Sequence, residues 1–126
     1  MRKTTLVAAL AAFVLLAGCG KDPITGTWEG TIYFGQDESP FKLELTNKNG
    51  TVTGKVTADS FGWSNANITS GTYVEDLLKE LTIVANVGGQ DGELTLNGLY
   101  STSTGPRVAG GASTTLPRSG TFVVTK

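Results

Sequence analysis

From position 24 the chain alternates. Ile24, Gly26, Trp28, Gly30, Ile32 and Phe34 fall on one side of an extended segment; Thr25, Thr27, Glu29, Thr31 and Tyr33 fall on the other. Successive side chains of a strand point to opposite faces, so this period of two predicts a strand buried on one side and wetted on the other. Phe41, Leu43 and Leu45 repeat the pattern against Lys42, Glu44 and Thr46. Asn47-Lys48-Asn49-Gly50 follows, and Val52, Gly54, Val56 and Ala58 then alternate with threonines and Lys55. Asn-Gly between two alternating runs predicts a hairpin, because both residues accept a positive φ. Leu81, Ile83, Ala85 and Val87 form a further strand, 88–92 turns the chain, and Leu94, Leu96, Gly98 and Tyr100 return. Gly120, Phe122 and Val124 close the series.

Two segments resist the alternation. The stretch 75–80, EDLLKE, fits either one helical turn, with Glu75 and Lys79 at i,i+4, or a strand connection. The stretch 101–119 is rich in Ser, Thr and Gly, and fits either a weak strand around 107–112 or a loop. The count is therefore seven or eight strands, and the fold class all-β.

Glycine stands two residues before an aromatic at Gly26-x-Trp28, Gly71-x-Tyr73, Gly98-x-Tyr100 and Gly120-x-Phe122. Both residues of each pair share a face. A glycine lets a strand bend sharply, and an aromatic can cover the gap it leaves. Repeated round a sheet, this predicts closure into an up-and-down antiparallel barrel over 24–126. The inward positions include Trp28, Leu43, Ile83, Leu96, Tyr100 and Phe122.

The opening strand also resembles a known family. Ile24-Thr25-Gly26-Thr27-Trp28 is similar to the first strand of lipocalin- and avidin-type (calycin) barrels, which share a Gly-x-Trp there. The resemblance implies a tryptophan plugging one barrel end. It does not carry biotin binding with it. Avidin-type sites use several further tryptophans and a polar first loop, whereas this chain has only Trp63 besides Trp28, and Glu29-Gly30-Thr31 continues the strand.

The first residues obey a different rule. Arg2 and Lys3 are followed by an apolar run over 6–17. The run is too short to span a bilayer, which takes about 20 apolar residues, but it suits a secretory signal. Leu16-Ala17-Gly18-Cys19 resembles the lipobox of bacterial lipoproteins. The resemblance implies a signal peptide over 1–18 and a lipidated Cys19 as the mature first residue, with 19–23 as the tether. Gly20, rather than Asp, follows the cysteine. In that family this favours the outer membrane of a Gram-negative host.

Composition narrows the chemistry. The chain has 126 residues, with 10 basic and 11 acidic side chains, so no nucleic-acid patch is expected. It contains 0 histidines, which removes the commonest metal ligand and the usual base near neutral pH. Asp37-Glu38 and Asp91-x-Glu93 are the nearest carboxylate groupings, each in turn-like sequence. No catalytic residue, metal or cofactor is expected, and the chain reads as non-enzymatic. Phe61 and Trp63, flanked by Ser60, Ser64 and Asn65, are the candidate contact residues in a loop; the competing reading is that Trp63 folds over the barrel mouth as a plug. The expected function is a lipid-anchored envelope protein whose barrel binds a small apolar ligand or an envelope partner. The competing reading is a protein–protein module with a solid core, serving as an inhibitor or accessory subunit of an envelope complex.

Overall fold

The computed structural model describes residues 22–126. The stretch 1–18 expected as a signal peptide, Cys19 and the expected tether as far as residue 21 lie outside the described residues.

The described chain forms β1 (Gly26–Phe34), β2 (Asp37–Lys48), β3 (Thr51–Ala58), β4 (Trp63–Val74), β5 (Glu80–Gly88), β6 (Gly92–Ser101), β7 (Arg107–Thr114) and β8 (Ser119–Thr125). Each strand pairs with the next, and β8 returns to β1, giving a closed eight-stranded barrel. All pairings are antiparallel. The weak sequence over 107–112 is thus a full strand, and EDLLKE is a connection with β5 starting at its last residue. The hairpin at Asn49-Gly50 has φ of 55° and 93°, as its sequence predicts.

The alternation works as a wall. Ile24, Trp28, Ile32, Leu43, Val56, Ile83, Leu94, Val108 and Val124 are buried inside, while threonines and charged residues face out. The closing seam depends on glycine. A Cβ on Gly30 would stand 1.9 Å from the Val123 carbonyl oxygen, and one on Gly120 only 1.8 Å from that of Tyr33. No other residue allows β1 and β8 to approach so closely. The aromatics fill the gaps across strands and not, as the Gly-x-aromatic spacing suggested, from two residues along: the Phe122 ring on β8 occupies the space left by Gly98 on β6, and the Phe34 ring on β1 stands against Gly120 on β8.

β4 departs from a simple period of two. Its register shifts near its start, between Val56/Ala58 on the β3 side, and again at its middle, between Thr51/Lys55 on the β3 side and Ile68/Ser70 on the β5 side. Trp63, Ala66, Ile68, Gly71 and Tyr73 face inward through pairing with Ala58, Val56, Ala85, Ile83 and Leu81. Their spacing alternates between three and two, because each bulge inserts an extra residue.

An up-and-down barrel sorts its connections into two ends. The start of β1, the end of β8 and the connections 49–50, 75–79 and 102–106 share one end. The connections 35–36, 59–62, 89–91 and 115–118 share the other.

Candidate functional site

Candidate sites in a barrel are its interior and its two mouths. The interior is filled. Trp28, Leu43 and Ile83 are 0 % exposed and Leu96 is 1 % exposed. A side chain lining a chamber would show surface to a water-sized probe within it, and these show essentially none. Phe122 packs edge-on against Phe41 with ring centroids 6.0 Å apart. The expected apolar ligand therefore has no room beside these residues, since eight strands bring the walls close enough for side chains to meet. A groove on the outer wall is lined by the polar Glu29, Lys42, Thr57 and Asp59 together with Gly30, Pro40 and Phe41.

At the N-terminal end, Trp28 is the plug. Its Nε1 donates to the Ile24 carbonyl at 2.8 Å. Tyr100 meets its ring edge-on at 6.2 Å, and Tyr73 meets Tyr100 in the same way at 6.4 Å. The Lys126 ammonium stands 5.3 Å from the Trp28 ring and donates to the Pro23 carbonyl. Asp22 secures the entry. Its Oδ1 accepts from the Ile24 amide and from Asn47 Nδ2, and its Oδ2 from the Thr25 hydroxyl. Burial pushes the Asp22 carboxyl up, but these hydrogen bonds outweigh it and hold the group below its usual range. Tyr73 is shifted upward, first by burial and then by its hydrogen bond to Glu75.

The opposite end corrects an expectation. Trp63 is 2 % exposed and opens β4. It is not an exposed loop residue, because the 3-10 turn Asp59–Phe61 and Gly62, with φ of 80°, turn the chain back over the mouth. Phe61 is half-buried, and the rings of Phe34, Phe61 and Trp63 form one cluster with centroids 5.3–6.2 Å apart. Trp63 Nε1 donates to Asp91 Oδ2 at 3.1 Å. Arg118 Nη2 donates to Asp91 Oδ1 at 2.8 Å, and its guanidinium lies 4.6 Å from the Phe34 ring centre. Asp91 stood out in the sequence only as part of a carboxylate grouping, and its pairing with Arg118 and Trp63 was not identifiable there. Asp91 and Arg118 each sit in turn-like sequence, and neither turn says that the other folds beside it.

This mouth is thus a plug capped by an ion pair. At this mouth Phe61 and Arg118 are partly accessible and Leu116 is exposed, beside polar loop residues such as Gln36, Ser60 and Gln90 that also face solvent. Among the described residues, no three His, Cys, Asp or Glu side chains gather as a metal site. No family model matches the chain, and neither a curated protein nor a solved structure matches it.

Proposed function

We propose that the chain is a lipid-anchored protein of the bacterial envelope that acts as a solid recognition module, performing no chemistry of its own. The filled interior carries the choice: with Trp28, Leu43 and Ile83 fully enclosed, a carrier role inside the barrel loses its site. The lipobox-like Leu16-Ala17-Gly18-Cys19 supports the anchor and the outer-membrane address. The chain enters the barrel at the end plugged by Trp28, so an anchor at Cys19 leaves the other mouth facing away from the membrane. Phe61 and its surroundings are then the surface offered to an envelope partner, with Trp63 as the rigid support beneath.

The test has two readings. Cys19→Ser should abolish palmitate labelling and release the protein from the membrane fraction. Persistent labelling would refute the anchor. Native mass spectrometry of protein extracted from its host should show either the bare acylated chain or a complex with a protein. A stoichiometric small-molecule adduct that survives extraction would restore the carrier reading. A photo-crosslinking residue at position 61 should trap the partner, while the same residue at Thr53, on the outer wall, should not.

A further inference from the structure

The barrel's exposed apolar side chains are unevenly distributed. Among the described residues, Val74, Leu77, Leu78 and Leu99 are 48, 99, 63 and 49 % exposed. All four lie at the N-terminal end. Val74 pairs with Glu80 and Glu80 pairs with Leu99, so Val74 and Leu99 flank the outer face of β5, with Leu77 and Leu78 in the connection beyond it. Single exposed leucines are ordinary, but a cluster of this kind at one tip is not.

The tip is built to hold its shape. Asp76 Oδ1 accepts from the Leu78 amide at 2.9 Å, and Lys79 adopts a left-handed φ of 50°. The Lys79 carbonyl accepts from the Tyr100 amide at 3.0 Å, tying the connection to β6. Lys79 and Glu75 pair across it, so their charges largely cancel. The connection is held at both sides while Leu77 projects fully into solvent.

We infer that Leu77 and Leu78 form a second membrane contact, dipping into the lipid interface beside the anchor. The inference rests on the anchored reading proposed above. Its occupant follows from chain length. Between Cys19 and Pro23 the tether reaches at most about 15 Å, and Pro23 stands at the same end as 75–79. A barrel held that close presents this end to the bilayer, and apolar side chains at the tip gain by leaving water. The charges around the tip are mixed, with Asp22, Asp76 and Glu80 against Lys48, Arg107 and Lys126. Contact should therefore need neither anionic lipid nor low salt. It would fix the barrel's tilt, which attachment at a single point would leave free.

The test uses the full-length protein purified from membranes and reconstituted in phosphatidylcholine vesicles. Acylated Cys19 has no free thiol, so Leu78→Cys supplies the one site for an environment-sensitive fluorophore. Gln36→Cys supplies the same label at the opposite end. Both positions are exposed, so the variants should fold. The label at 78 should shift to the blue and be quenched by headgroup-level spin-labelled lipid, and adding Leu77→Asp should reduce both effects. The label at 36 should remain water-like. Intact mass reports acylation in the same sample. An unacylated Cys19 would overturn the anchor and the tip together. An acylated protein with a water-like signal at 78 would overturn the tip alone. A blue shift seen only in native membranes, and not in pure lipid, would assign the leucines to a protein partner and overturn the lipid contact.

Discussion

Each end of the barrel is shut by a tryptophan, and the two are held in different ways. Trp28 donates to the Ile24 carbonyl, four residues back in the same segment, and leans on Tyr100. Trp63 donates to Asp91, a carboxylate from another turn, which is itself held by Arg118 from a third. The first plug is local and main-chain; the second is a relay between distant parts of the chain. The resemblance in sequence covers only the first. That difference shows why one plug could be expected from a short motif while the other was only the second of two readings, behind a contact loop.

The largest expected effect would confirm that both are plugs. Trp28→Ala and Trp63→Ala should each cost about 3–5 kcal/mol in urea melts, as buried aromatic truncations do. A loss below about 1 kcal/mol for Trp63→Ala would break the equivalence. Next in size, Asp91→Ala should cost about 1–3 kcal/mol, since it strands the Trp63 Nε1 proton and the Arg118 guanidinium together. The pair is partly solvated, with side-chain exposures of 28 and 16 %, which favours the lower part of that range. Adding Arg118→Met to Asp91→Ala should recover part of the loss by removing the unpaired charge. No recovery would mean that Asp91 acts on Trp63 alone.

Titration should separate the ends further. Tyr73 is raised in the folded state, so its contribution is complete below the ordinary tyrosine range, about pH 10, and is lost as pH rises above it. Tyr73→Phe should flatten that alkaline fall in melting temperature; an unchanged fall would assign it to another group. The smallest effect belongs to Asp22, whose carboxyl is lowered. Its contribution is present above the ordinary aspartate range, about pH 4, and is lost as pH drops through the folded value. Asp22→Asn should cost below about 1 kcal/mol at neutral pH and reduce acid sensitivity. Equal acid sensitivity in the variant would remove Asp22 from the entry clamp.

The barrel was legible because its core-facing residues keep a strict period of two over 24–34, 41–45, 81–85 and 120–124. β4 was not. Its inward series runs Trp63, Ala66, Ile68, Gly71, Tyr73, and the two phase slips between them hide any alternation from a reader of single positions. Trp63 consequently looked stranded among serines and asparagines. The filled interior was also beyond reach. Alternation says which side chains point inward, but not whether they meet across the axis. That depends on how tightly the strands coil, which here rests on glycines such as Gly30 and Gly120 standing against main-chain oxygens. The cluster at 77–78 was visible only as a short apolar pair in a segment read for its helical spacing.

Closure has a further consequence for the order of folding. Seven of the barrel's pairings join neighbours in sequence and can form as hairpins; the eighth joins β1 to β8, where Thr125 meets the Glu29 carbonyl across 96 residues. Such a contact is late, because the chain must be ordered over nearly its whole length before the contact forms. Until then β1 and β8 each present an open row of amides and carbonyls, a template for pairing with another chain. The last strand is therefore the clasp. A nascent chain that has not yet released 119–125 is an unfinished, two-edged sheet, and it is at that stage that the protein most needs to be kept apart from its own copies.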